Sequence, residues 1–206
     1  TFSRLSISKY DQIDDRMKIL CDNISFVVSF LVDNTAEQLI LGLFQDQDLI
    51  LGDRITQVNL SVKAVEAQEL KVLSNRVKLK TTSPLMVGKP EIRANGKFIH
   101  KYLNPLDRDF EYYFFKNLTD KYQAARANNL IPALKNETPL RFKLISEKPK
   151  LQGVRIKAHT KSETKVIGYA FEFELEAPIE MIKLGILAGF GGENALGFGA
   201  TKLLNN

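Results

Sequence analysis

Five of the chain's 12 glycines fall in one run, Gly189-Phe190-Gly191-Gly192-Glu193-Asn194-Ala195-Leu196-Gly197-Phe198-Gly199. Glycine supplies positive φ and lets backbones approach closely, so this run reads as a tight connection rather than the interior of a helix or strand. Gly192 and Gly197 have the spacing of the outer glycines of a Walker loop, but Phe198 stands where that loop needs a lysine. The dinucleotide fingerprint fails as well, since it needs a strand before its glycines and a helix after, and here the order is reversed. Two readings survive. One is purely structural; the other is a loop whose backbone N–H groups and missing side chains admit a phosphate chain.

The rest of the chain alternates strand and helix patterns. Residues 1–7 and 24–32 read as strands, the second with Phe26, Val28 and Phe30 alternating against Ser25 and Ser29. A helix follows, with Asn34 as N-cap, Glu37 completing a capping box, and Leu39, Ile40, Leu43 and Phe44 on one face. Residues 55–65 form the next strand. Beyond residue 70 the pattern runs as an extended segment 72–87, a turn over 88–96, and a segment 98–103 leading into an aromatic helix from about residue 107. Then come a strand 141–146, a hairpin of 151–159 and 165–175, a helix 178–187 and a last strand 196–203. Phe171, Phe173 and Leu175 point one way along that hairpin, Glu172, Glu174 and Glu176 the other.

The second half follows the βαββαβ order of a ferredoxin-like unit, and the first carries only the last four elements of one. The expectation is an α+β protein of two tandem ferredoxin-like domains, 1–70 and 71–206, the N-terminal one lacking its first strand and helix. A ferredoxin-like sheet places its first strand in the middle, so that gap exposes strand edges at a cost. The chain is therefore expected to be truncated at its N-terminus.

Charge divides the halves. Residues 1–70 hold 6 Lys/Arg against 11 Asp/Glu, residues 71–206 hold 23 against 13, and residues 141–166 alone hold 8 against 2. A basic half beside an acidic one suits a protein that lays one side on a polyanion, although a charge run is also what any solvated face looks like. The single cysteine, Cys21, fits a reducing compartment and excludes a zinc site built on cysteines. Apolar stretches stay under ten residues, against the roughly 20 a membrane helix needs.

The terminal GFGGENALGFG closely resembles the glycine-rich loop that closes CRISPR-associated endoribonucleases of the Cas-six type, in the repeat-associated superfamily of paired ferredoxin-like domains. Phe2-Ser3-Arg4-Leu5 is similar to that family's first-domain strand and Thr82-Ser83-Pro84-Leu85 to its "SP" strand. Asn104-Pro105 and the helix to Lys121, Lys148-Pro149-Lys150, and Gly168-Tyr169 follow in the family's order. Glu193 departs from the common pattern, which has a basic residue there.

The resemblance implies metal-independent cleavage of CRISPR repeat RNA by attack of a 2′-hydroxyl on the adjacent phosphate, with no cofactor. Such chemistry needs a base, an acid and a cation for the developing charge. In the family a histidine, often with a tyrosine or lysine, supplies it from the first helix or just after it. That region would precede Thr1, so the catalytic residues are expected upstream and the chain alone is expected to cut poorly or not at all. His100, in the run Phe98-Ile99-His100-Lys101-Tyr102, and His159 are poor substitutes, each read first as an ordinary surface histidine. RNA contact is expected from Arg155, Lys157, Lys161 and Lys165 of the hairpin, with alternation putting Arg155 and Lys157 on one face. The loop's Gly189, Gly191, Gly192, Asn194, Gly197 and Gly199, and Lys202 beyond it, complete the expected RNA-binding set. The implied setting is the cytoplasm, with repeat RNA as partner and effector-complex subunits or a homodimer left open. The rival reading is a non-catalytic RNA-binding subunit of a CRISPR effector complex; a metabolite-binding or scaffolding domain is the third.

Overall fold

The alternation of three apolar residues with three glutamates at 171–176 builds the central sheet of the structure, a computed structural model that describes residues 1–14, 16–46, 48–53, 55–92, 96, 98–135, 138–157 and 160–204. Its elements are β1 (Ser6–Ile7), β2 (Tyr10–Ile13), β3 (Arg16–Ile19), β4 (Ile24–Ser25), α1 (Asp33–Asp46), β5 (Asp48–Gly52) and β6 (Gln57–Ser61). They continue as β7 (Arg76–Thr81), β8 (Gly88–Ile92), β9 (Phe98–Tyr102), α2 (Phe110–Ala127), β10 (Arg141–Leu144), β11 (Lys150–Ile156), β12 (Thr164–Ala170), β13 (Glu172–Glu176), α3 (Ile179–Ala188) and β14 (Thr201–Leu203). The chain divides into two compact units, Thr1–Ser29 with Val72–Asn206, and Phe30–Lys71. These units differ from the expected division at residue 70 in that Thr1–Ser29 groups with Val72–Asn206.

Four strands pair antiparallel in the order β10–β13–β7–β14, so β7, the earliest in sequence, lies between β13 and β14. Phe173 and Leu175 are fully buried and Phe171 nearly so, with Glu172, Glu174 and Glu176 on the opposite face, as alternation requires. On that outer face Arg76 meets Glu174 at 2.6 Å and Lys80 meets Glu172 at 2.8 Å. The inner face is covered by α2, through Phe110, Phe114, Phe115 and Leu118, and its aromatic rings run together. Phe114 touches Phe110, Phe142, Phe173 and Phe190, stacking on Phe190 with centroids 5.5 Å apart and planes 13° from parallel. Helix α3 is buried through Met181, Ile182, Leu184, Gly185 and Ile186. In the smaller unit β5 and β6 form an antiparallel hairpin after α1.

Several expected elements differ. The strand at 24–32 is regular only over Ile24–Ser25, with one bridge from Val28 to Phe2, and Phe26 and Val27 are exposed. Asn34 lies inside the first turn of α1 rather than capping it, and Leu39, Ile40 and Phe44 on its apolar stripe are exposed. The last strand is confined to Thr201–Leu203, because Asn194–Leu196 closes into a one-turn 3-10 helix. The expected turn at 88–96 instead begins as β8, paired with β9. The hairpin's second arm is two strands: β12 pairs with β11, then at Phe171 the chain changes partner and β13 joins β7 and β10. Thr81 fixes the switch, its N–H donating to Phe171 O at 3.1 Å and its Oγ1 accepting from Phe171 N–H at 3.0 Å. Among the described residues, no helix is long and apolar enough to cross a membrane.

Gly185 on α3 has no room for a side chain, since a Cβ there would overlap the ring of Phe190. Gly185→Ala should therefore destabilise the protein by about 1–3 kcal/mol, the usual cost of overpacking a filled core. Urea unfolding checks this, and a midpoint equal to the parent's would mean that Phe190 is not wedged there.

Candidate functional site

The glycine-rich run leaves α3 at Gly189, turns Phe190 into the aromatic core, passes through the 3-10 turn Asn194–Leu196 and returns to the sheet edge at Thr201. Gly191 and Gly199 sit at φ 68° and 76°, where a Cβ would strike the carbonyl oxygens of Met86 and Phe190. Gly189, Gly191, Gly197 and Gly199 are buried; Gly192 and Asn194 are half-buried. The loop's N–H groups largely serve the protein itself. Phe190 donates to Gly199 O, Gly192 to Met86 O, Gly199 to Pro84 O, Gly197 to Asn194 O, and Leu196 and Phe198 to Glu193 O, at 2.8–3.3 Å. The expectation that backbone N–H groups await a phosphate therefore does not hold for these six amides.

The inward carbonyls converge on Lys121. Its Nζ donates to Gly189 O at 2.6 Å, to Asn194 Oδ1 at 2.6 Å, and to Gly191 O. Asn194 in turn donates from Nδ2 to Phe190 O at 3.1 Å and to Phe198 O at 2.9 Å, tying together both limbs of the loop. Burial pushes the Lys121 ammonium down from 10.5 to about 8. Sequence reasoning missed this residue. The available signal was its position on the buried stripe of α2, three residues after Leu118 and four before Ala125.

The hairpin of β11 and β12 holds the basic residues. Arg155 is directly opposite Lys165 in the register, and both are exposed. On the other face Val154 and Ile156 pack against the buried cluster of Met86, Val166 and Phe198, with Tyr102 alongside. Hairpin and glycine loop thus share one apolar patch. Lys157 does not continue the alternation of Arg155, because β11 ends at Ile156 and Lys157 opens the turn at φ 54°. Its carbonyl accepts from Thr160 N–H at 3.2 Å and Thr160 Oγ1 at 2.7 Å. Lys161 is exposed in that turn, and Arg155 Nε lies 4.0 Å from Glu163. His159 falls outside the described residues. Lys202 stands apart, on the outer face of β14 opposite Lys80.

His100 is exposed on β9 opposite Pro90. Two residues on, Tyr102 packs into the Met86–Phe198 cluster, where burial and then Glu193 raise its phenol above the usual value. Among the described residues, no group of three or more His, Cys, Asp and Glu could hold a metal ion.

Comparison with known proteins adds kinship to this geometry. The family described as CRISPR associated protein Cas6, C-terminal, matches residues 66–203. The CRISPR-associated endoribonuclease-like protein Cas6 of Pyrococcus furiosus is 26% identical over 205 residues, covering 99% of this chain and 78% of that one. The solved structure of a Cas6-related gene product from Pyrococcus furiosus superposes with a TM-score of 0.79 at 26% identity, over 100% of this chain and 78% of the other. A structure described as an RAMP protein binding different RNA substrates shares the fold, with a TM-score of 0.79 at 21% identity over 100% of this chain and 79% of its own.

The depressed Lys121 ammonium has a consequence for stability. Between about 8 and the ordinary lysine value of 10.5 the unfolded chain binds more proton at this lysine than the folded one, so its contribution to stability rises with pH across that window. The difference in unfolding free energy between the native protein and Lys121→Met should move toward the native protein as pH goes from 8 to 10. A difference that stays flat in denaturant melts at both pH values would mean that Lys121 keeps its proton throughout.

Proposed function

This chain belongs to the family of CRISPR associated protein Cas6, C-terminal, and from that premise we propose that it binds CRISPR repeat RNA and processes the repeat precursor into guide RNAs. The observation that carries the reading is the hairpin. Arg155 and Lys165 oppose each other on its outer face, while its inner face packs on Phe198 of the glycine-rich loop. A cationic ribbon with a fixed back suits RNA, whose helices are held mainly through phosphate and 2′-hydroxyl contacts. In this reading Arg155, Lys157, Lys161 and Lys165 meet phosphates and Gly192 and Asn194 form the outer edge of the loop. Gly189, Gly191, Gly197 and Gly199 shape the loop from within, and Lys202 extends the basic surface. The architecture is read as two ferredoxin-like domains, 1–70 and 71–206; the central position of β7 between β13 and β14 supports this for the second.

The proposed cleavage is metal-independent. The 2′-hydroxyl oxygen attacks the adjacent phosphorus as a base takes its proton, and the bond to the 5′ oxygen breaks as an acid protonates the leaving group. The products are a cyclic phosphate and a free 5′-hydroxyl. The endoribonuclease-like relative from Pyrococcus furiosus supports RNA as the substrate class. A second reading, a non-catalytic RNA-binding subunit of an effector complex, draws on the site: His100 is exposed, Tyr102 packs in the apolar cluster, and Lys101 between them lies on the opposite face of β9, so the His–Lys–Tyr run does not present its three side chains to one spot.

Incubation of the protein with labelled repeat RNA in excess EDTA separates these readings. A cyclic-phosphate product supports the nuclease, retention of intact RNA on a filter supports the RNA binding on which both readings rest, and failure to retain RNA sinks both. The double variant Arg155→Glu, Lys165→Glu should weaken binding and lower the magnitude of the log–log salt slope by about 1–2, corresponding to about two lost phosphate contacts. An unchanged affinity and slope would remove the hairpin from the interface.

A further inference from the structure

We propose that Lys121 is a positioning residue that holds the glycine-rich loop, and through it the basic hairpin, in the shape that receives RNA; the role in reception rests on the RNA-binding reading above. The geometry is that of an internal cation site. An ammonium has three N–H donors, and three oxygens converge on this one: Gly189 O, Gly191 O and Asn194 Oδ1. They come from a segment 68–73 residues further along the chain, so the contact is a tertiary one between α2 and the loop.

Each acceptor depends on the cation differently. The two backbone carbonyls bracket Phe190 and aim at the same point, an arrangement in which their dipoles repel unless an N–H donor lies between them. The Gly191–Gly192 peptide is held on one side by Lys121 and on the other by Gly192 N–H donating to Met86 O, and with Gly191 at φ 68° the loss of Lys121 removes one of these two restraints. Asn194 is held in one orientation because Oδ1 accepts from Lys121 while Nδ2 donates to Phe190 O and Phe198 O. Phe198 then packs in the same cluster as Val154, Ile156 and Val166, the inner face of the hairpin. The linkage therefore runs from Lys121 through Asn194 and Phe198 to the strands that carry Arg155 and Lys165. Lys121 itself is turned inward and touches loop oxygens rather than the proposed ligand.

The test uses the full chain with repeat RNA, reading hydrogen–deuterium exchange by mass spectrometry and affinity by filter binding. Lys121→Met should speed exchange of the peptide spanning 189–199 while α2 and the central sheet keep native protection. If the loop then spends about a tenth of its time in the receptive shape, affinity falls about tenfold. Asn194→Leu removes one acceptor and both Nδ2 donor bonds without emptying the lysine's place, and should show the same pattern at comparable strength. That variant also keeps the idea testable if Lys121→Met fails to fold. Propylammonium added to Lys121→Ala should restore both loop protection and affinity, a rescue that a lysine serving only general stability would not show. Native exchange in the loop of a folded Lys121→Met overturns the proposal. A loosened loop with native RNA affinity overturns the role in reception. No RNA binding by the parent protein defeats the functional reading instead, and is seen before any variant is made.

Discussion

The closing loop is bound by its own protein. Six of its amides are spent on Met86, Pro84 and on one another, its two inward carbonyls on Lys121, and its two phenylalanines on separate apolar clusters. Buried backbone polar groups must find partners, and a segment with so few side chains can satisfy that only by folding onto itself and onto fixed neighbours. The rest of the site follows from this. Phe190 anchors the loop to α2 and β13, Phe198 anchors it to the hairpin, and Asn194 ties the two limbs together.

A phosphate-binding reading of glycine-rich sequence usually rests on free N–H groups, and here six of them are engaged. In the RNA-binding reading, attraction for a polyanion has to come from elsewhere. The exposed cations of the hairpin are the natural source: Arg155 and Lys165 are cross-strand neighbours, and two like charges in that position repel unless an anion lies over them. Glu163, 4.0 Å from Arg155, offsets part of that repulsion in the protein alone. A ligand phosphate would compete with it. The loop's contribution is then mechanical, fixing the back of the ribbon that carries the charge.

What was legible in the sequence was whatever rests on local periodicity. Phe171, Phe173 and Leu175 announced a half-buried strand because a two-residue repeat leaves no other choice, and the aromatic stripe of α2 announced its buried face in the same way. The switch of strand partner at Phe171 was not legible, since an extended run keeps the same alternation whichever neighbour it pairs with; only the bonds with Thr81 show where the exchange occurs. The hairpin of β2 and β3 escaped for a related reason: its apolar residues Tyr10, Ile13 and Met17 are exposed and give no inward-facing pattern. No expected strand covers Asp48–Gly52, yet it pairs throughout with β6.

Lys121 marks the sharper limit. A lysine on an apolar stripe reads as a long side chain whose head reaches water, and nothing near it in sequence says otherwise. Its partners lie some seventy residues away, in a segment where glycine suggested N–H donors facing outward. The structure reverses that polarity, turning carbonyls inward and supplying the positive charge from below. A glycine-rich loop in this setting acts as an acceptor shell around a lysine of its own, and its composition reflects the closeness of that packing as much as any ligand it meets.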